Sequence, residues 1–161
     1  MQVLLTKKIG EIDLEKLMDI YEESNWENLS MVESNPGEKT DKNTLYQKVI
    51  QAYKAYIKND FSKEGKNLLA ILIDGEKYLA ALRIYDEGDF YLLEALETNP
   101  ANRRCGYGER LLREVVKALE SGKKIRSEVS FLNKKSLHLH EKVGFEIKGK
   151  RKNDFLLVLK T

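Results

Sequence analysis

The segment Arg103-Arg104-Cys105-Gly106-Tyr107-Gly108 has the residue types and spacing for one chemical task, the holding of phosphate. A helix start leaves backbone amides unpaired, and those amides, with the positive end of the helix dipole, attract anions. Glycine lets the backbone approach a ligand with no side chain in the way, and paired arginines add charge-assisted bonds to phosphate oxygens. Leu111 stands where a dinucleotide fingerprint needs its third glycine, and no Gly-Lys-Ser/Thr follows, so a Walker-type loop is also disfavoured. An ordinary strand-to-helix turn with solvated charges is the competing reading of the same residues.

The flanking elements supply the context that a phosphate cradle needs. Upstream, the run from Phe90 to Glu97 reads as a strand bounded by the turn signals Glu87-Gly88-Asp89 and Asn99-Pro100. Downstream, Leu111, Leu112, Val115, Val116 and Leu119 recur at helical spacing, predicting a helix from Gly106 to about residue 120 that Ser121-Gly122 should end. Before the strand, Leu68 to Ile73 and Tyr78 to Tyr85 flank Asp74-Gly75, a strong hairpin signal. After the helix, Ile125, Ser127, Val129 and Phe131 alternate with polar residues, which predicts a half-buried strand reached by a helical crossover and so parallel to the one before. Asn133 can cap a further helix through Val143, Gly144 ends it, and Phe145 to Ile147 with Asp154 to Leu159 form a closing hairpin. At the other end, Val3 to Leu5 reads as a short strand, and Asp13 caps a helix with Leu14, Leu17, Met18 and Tyr21 on one face. Periodicity fails from Asn25 to Lys42, which predicts a long loop before a helix carrying Leu45, Val49, Ala52, Tyr53 and Tyr56.

Composition narrows the function classes. The chain has 161 residues, of which 34% are charged, yet the charges nearly cancel to +2. A length of this order suits one domain with a real core. A dedicated nucleic-acid binder would concentrate positive charge on one face, and no such concentration is present. A single cysteine, Cys105, rules out an internal disulfide and a cysteine-rich metal site. No apolar run approaches the ~20 residues of a membrane helix. The N-terminal MQVLLTKKIGEID lacks the apolar core of a signal peptide, so the expected location is the cytoplasm.

A second motif, Asn133-Lys134-Lys135-Ser136-Leu137-His138-Leu139-His140-Glu141-Lys142-Val143-Gly144-Phe145, gives the first its meaning. Together with Arg103-x-x-Gly106-x-Gly108 it resembles the GNAT superfamily of acetyl-CoA-dependent N-acetyltransferases, whose first motif is Gln/Arg-x-x-Gly-x-Gly/Ala. The family's second motif runs Asn, a small residue three on, a Leu-Tyr pair and then Gly-Phe. The likeness extends over the element order from Leu68 to Leu159. It implies a single α/β (α+β) domain over residues 1–161: a mixed, mostly antiparallel sheet of about six to seven strands with about four helices, splayed between the fourth and fifth strands. It also implies that acetyl-CoA serves as co-substrate, with its pyrophosphate over the amides of Arg103, Arg104, Cys105, Gly106, Tyr107, Gly108 and Glu109. The pantetheine arm would run along Leu96 to Thr98 like an added strand, with Asn133 and Ser136 on the opposite wall.

This sequence departs from the family at His140, where the pattern carries a tyrosine thought to protonate the departing thiolate. A histidine there can fill space, act as a general acid, or belong to a proton relay in an enzyme that needs no acid because a thiolate leaves readily. Imidazole has a reference pKa of about 6.5 against about 10 for tyrosine, so at neutral pH a carboxylate would be needed to keep it charged. The departure also keeps open a non-catalytic acyl-CoA-binding module. The acceptor amine must be neutral when it attacks, so a base or water chain is expected, and Glu94 and Glu97 are the candidates. Their offset of three puts them on opposite faces of a regular strand unless a bulge intervenes, and parity with Thr98 favours Glu94. A backbone amide near Leu96 would polarise the thioester oxygen.

In the family the first two helices and their loop border the acceptor. Here that region holds Tyr21, Trp26 and Glu27 among Glu22, Glu23, Met31 and Glu33, a mixture that suits a cationic amine of a small molecule or peptide. A solvated acidic loop is the alternative. His138 and His140 at i and i+2 face different ways on a helix, so no metal is expected. No nucleic acid or membrane partner is expected, and homodimerisation, frequent in the superfamily, is left open.

Overall fold

Alternation along the strands divides the interior into two cores, one on each side of a single sheet. The computed structural model describes residues 1–33, 39–119 and 122–160. Among the described residues seven strands, β1 (Gln2–Thr6), β2 (Leu68–Asp74), β3 (Lys77–Asp86), β4 (Phe90–Thr98), β5 (Lys124–Ser130), β6 (Phe145–Arg151) and β7 (Asp154–Leu159), line up in the order β1-β2-β3-β4-β5-β7-β6. Only β4 and β5 pair in parallel, as the crossover requires; every other neighbouring pair is antiparallel.

On β2, Leu69 and Ile71 enter one core while Ala70 and Leu72 enter the other, which is why this strand reads as an unbroken apolar run. One core is covered by α4 (Tyr107–Ala118), whose Leu111, Leu112 and Val115 are fully buried, with α5 (Lys134–Val143) beside it. Each leucine so buried removes apolar surface worth about 2 kcal/mol from water. The other core is covered by α1 (Leu14–Ile20), capped by Asp13 on the amides of Glu15 and Lys16, and by α3 (Lys42–Ala55), which runs on into a wider π turn at Tyr56–Phe61.

The first loop differs from the sequence expectation. α2 (Glu22–Glu27) runs into the start of the loop expected from Asn25 to Lys42, and a short 3-10 segment (Leu29–Val32) lies within it, so five α-helices are present among the described residues where about four were expected; polar, weakly periodic residues hide so short a helix. Residues 34–38 of that loop, and Glu120 and Ser121 at the expected end of α4, lie outside the described residues. The closing hairpin is threaded so that its second strand, β7, sits between β5 and β6. No described helix is long and apolar enough to cross a membrane.

Candidate active site

The parallel pairing of β4 with β5 stops at Leu93 and Ser127, although both strands continue, to Thr98 and Ser130. Beyond that point the strands diverge, and the stretch of β4 from Glu94 to Thr98 is paired on its β3 side only. At the open end of the splay, Gly106 caps α4 in the left-handed region, φ +75°, preceded by Arg104 at φ +64°. An added Cβ at Gly106 would meet nothing within 4 Å, so conformation rather than crowding calls for glycine there. Gly108 is the converse: a Cβ would stand 3.3 Å from Thr98 Oγ1 and 3.4 Å from Leu139 Cδ1, so its bareness lets α4 seat against β4 and α5. Arg103, Arg104, Cys105 and Gly106 are exposed, and Arg103 pairs with Glu23 on α2, tying the loop to the opposite side of the splay.

Along the other edge of β4 the ladder to β3 slips. Arg83 is opposite Glu94 and Ala81 is opposite Glu97, so Leu82 alone faces both Ala95 and Leu96, the two-against-one count of a β-bulge. Ala95 takes φ +56°, and its carbonyl accepts a 2.7 Å bond from the buried hydroxyl of Tyr21. Because one residue is inserted between them, Glu94 and Glu97 emerge on the same face. Glu97 is partly buried and accepts from Ser24 Oγ at 3.0 Å. Burial pushes its carboxyl up to about 7; the Ser24 bond and Arg83 pull it down, while Glu27 and Glu23 push it further up. Glu94 also rises through burial, against the pull of the Arg83 guanidinium 3.6 Å away. Arg83 itself donates to Tyr53 OH at 3.0 Å and lies 5.5, 5.6 and 5.9 Å from the rings of Tyr53, Tyr56 and Tyr85.

At the foot of the splay, under Ser127, lies His140. It is 1% exposed, and its ring stands edge-on to Phe145 with centroids 5.2 Å apart. Nδ1 is 2.7 Å from the Ser136 carbonyl oxygen, which can only accept, so Nδ1 carries the proton. Nε2 is then free to accept from Ser127 Oγ at 2.9 Å. Burial pushes the imidazole below its ordinary pKa, against the Ser136 carbonyl bond, and the ring is neutral at pH 7.

These elements match a known pattern. The model of the acetyltransferase (GNAT) family matches residues 15–145. The chain belongs to this family. No curated protein sequence matches it. Among solved structures, the PaiA N-acetyltransferase of Thermoplasma acidophilum, in complex with coenzyme A, superposes with a TM-score of 0.71 at 18% identity over 100% of both chains. The Campylobacter jejuni N-acetyltransferase PseH aligns at 0.62 and 18% identity over 99% of this chain and 98% of its own. A variant of the spermidine N-acetyltransferase SpeG of Vibrio cholerae aligns at 0.60 and 14% identity, over 99% and 94%. At such identities these likenesses show a shared fold.

The GNAT fold brings most of the expected site residues to one cleft. Leu96 and Thr98 lie along the unpaired stretch of β4, and Arg103 through Gly108 close its open end. The Glu109 side chain bridges Arg113 and Lys142 at 3.0 Å each, fastening α4 to α5. Asn133 spends its side-chain oxygen on the Ser136 amide as the cap of α5, leaving its amide nitrogen for other partners. Parity pointed to Glu94 as the companion of Thr98; the bulge reverses this, leaving Glu94 and Glu97 together on the face opposite Thr98. Tyr21, expected at the acceptor, is 1% exposed, whereas Trp26 is exposed and stacked on Tyr46 at 4.1 Å, and Glu27 is exposed. Arg83, Ser127 and Ser24 were not anticipated. A charged residue amid the apolar run of β3 and a serine at an inward parity of β5 were the available signals for the first two; Ser24 has none.

Proposed function

We propose that this protein is an acetyl-CoA-dependent N-acetyltransferase that acylates a primary amine of a small molecule or peptide by direct transfer, with Glu97 as the base. The observation that carries this reading is Glu97: a carboxyl held at about 7 on the free stretch of β4, one residue from Leu96. A general base works best with a pKa near the operating pH. The fit of the co-substrate rests on the unpaired edge of β4 and on the open, left-handed start of α4, because unpaired strand groups and helix-start amides both call for a polar ligand. Acetyl-CoA supplies the acetyl group as a thioester.

Leu96 and Thr98 hold the pantetheine arm through their backbone, with Asn133 and Ser136 opposite. Arg103 to Glu109 take the pyrophosphate on backbone amides, with the two arginines as charge partners. The Leu96 amide polarises the carbonyl oxygen of the thioester. Glu97 first takes a proton from the ammonium; the neutral amine nitrogen then bonds to the acyl carbon, the carbon–sulfur bond breaks with its electron pair on sulfur, and the second nitrogen proton passes to water as the amide forms. The thiolate, with a reference pKa of about 8.5, leaves without an acid from the protein. His140, neutral and bonded through both nitrogens, supports the floor of the splay in this reading. Glu23, Glu27 and Glu97 favour a cationic acceptor entering between α2 and β4. The three structural neighbours named above are N-acetyltransferases, one of them of spermidine, which supports a nitrogen acceptor.

The test is thiol release from acetyl-CoA across a panel of primary amines, at pH 6 to 9. Turnover is expected for wild type, rising with pH through about 7, and is expected to be about 10²–10³-fold weaker, without that rise, for Glu97→Gln. A thermal shift with ATP but none with acetyl-CoA would sink the reading.

A further inference from the structure

A residue in the left-handed region that is not glycine persists only where its surroundings hold it there. Ala95, φ +56°, is such a residue, and it forms the bulge between the two site glutamates. Its carbonyl oxygen receives the hydroxyl of Tyr21 at 2.7 Å, across 74 residues of sequence. The Tyr21 ring is 1% exposed and packs on Tyr53, with centroids 5.3 Å apart. That packing fixes the ring, and the ring fixes the hydroxyl. In a planar trans peptide the C=O and the following N–H point in opposite directions. Turning the Ala95 carbonyl toward Tyr21 therefore turns the Leu96 N–H away from it.

We infer that Tyr21 is a positioning residue: its hydroxyl holds the Ala95–Leu96 peptide in the flipped orientation that aims the Leu96 amide at the reacting carbonyl and brings Glu97 onto the face of Glu94. The inference rests on the acetyltransferase reading of the same cleft, and it gives Tyr21 a role other than contact with the acceptor. Burial pushes the phenol well above its ordinary pKa, so the hydroxyl remains a donor throughout the working pH range.

Tyr21→Phe removes the donor and leaves the ring. A single preorganised oxyanion donor is worth about 10²–10³ in kcat, and its partial misalignment is expected to lower kcat about tenfold. KM for acetyl-CoA is expected to stay within about twofold, because the loop from Arg103 to Gly108 is untouched. Adding Ala95→Gly, which tolerates positive φ without cost, is expected to restore part of the lost kcat. The Ala95 ¹³Cα and ¹³Cβ chemical shifts report its φ without any turnover, and are expected to move from left-handed to extended values in Tyr21→Phe. Unchanged Ala95 shifts, or an unchanged kcat, would overturn the inference. So would a kcat loss matched by loss of the acetyl-CoA thermal shift, since that marks general loosening. If wild type turns over no amine while the Ala95 shifts still move, the positioning of the peptide stands and the catalytic reading falls. Should Tyr21→Phe alone fail to fold, the pair Ala95→Gly and Ala95→Gly/Tyr21→Phe is the second test: glycine takes positive φ without cost, so the hydroxyl is no longer needed to hold the bulge and its removal is expected to change kcat by less than about threefold. A tenfold loss of kcat on removing the hydroxyl in the Ala95→Gly background would overturn the inference, since Tyr21 would then act other than through the Ala95 peptide.

Discussion

Glu97 and His140 are both titratable groups at the splay, and the sheet treats them in opposite ways. Glu97 is partly open, takes one bond from Ser24 and shares its surroundings with two further carboxylates; its proton affinity is poised near neutrality. His140 is closed off, donates from Nδ1 to a carbonyl, accepts at Nε2 from a hydroxyl and has its proton affinity depressed. A group prepared for proton transfer keeps unused bonding capacity and a path to substrate; one whose every polar atom is matched is serving the fold. The position where the family carries tyrosine has thus been drawn into the core, while the carboxyl poised near neutrality stands beside the bulge.

The largest effect that would break this contrast is on turnover. Glu97→Gln is nearly isosteric and abolishes proton acceptance, so kcat/KM is expected to fall about 10²–10³-fold at pH 8, or about 3–4 kcal/mol of barrier. The rise of activity through pH 7 should disappear with it; a variant that keeps both rate and pH profile would move the base elsewhere, with Glu94 next in line. His140→Ala comes second, and on a different axis. It leaves the buried Ser127 hydroxyl without its nitrogen partner and opens space beside Phe145, so chemical denaturation is expected to show a loss of about 2–3 kcal/mol. Per folded molecule, kcat should remain within about threefold; a fall of 10²-fold or more would restore His140 to the reaction. Third is Gly106→Ala, which forces a side chain into φ +75° and is expected to cost about 1 kcal/mol, seen as a several-fold rise in KM for acetyl-CoA with kcat little changed.

What could be read from the sequence and what could not follows the range of the forces involved. The helix starting at Gly106, the cap at Asp13, the hairpin at Asp74-Gly75 and the parallel crossover into β5 are local signals, and all four elements formed as the residues implied. The loop from Arg103 to Gly108 and the His140 position are motif signals of the same kind. The bulge is different. No glycine marks it; Ala95 enters the left-handed region because Tyr21, at the junction of α1 and α2, reaches its carbonyl, a long-range contact that leaves no trace in the spacing of β4. Strand parity alone separated Glu94 from Glu97, and only the inserted residue brings them together. Arg83 was visible as a charge in an apolar strand, but its partner Tyr53 comes from α3, on a non-neighbouring element, and its pairing with Glu94 on the next strand depends on the register.

The smallest effect tests the same contrast through stability, where the two groups should tilt the pH dependence in opposite senses. For Glu97 the folded-state pKa of about 7 lies above the ordinary 4.5, so the folded chain binds this proton more tightly than the unfolded one. Its contribution is then complete below about pH 4.5 and is lost as pH climbs through 7. Removing the charge should therefore stabilise the protein at pH 8, by about 1–2 kcal/mol for a partly exposed carboxylate, and leave it little changed at pH 5. For His140 the folded-state pKa lies below the ordinary 6.5, so its contribution is complete above that value and is lost as pH falls. Melting temperatures of wild type, Glu97→Gln and His140→Gln across pH 5 to 8 separate the two slopes, at roughly 2–4 °C per kcal/mol for a chain of this size. The Glu97→Gln difference should grow toward pH 8 and the His140→Gln difference should shrink toward pH 5. Parallel curves for both would mean that neither group has the surroundings on which the division between chemistry and support depends.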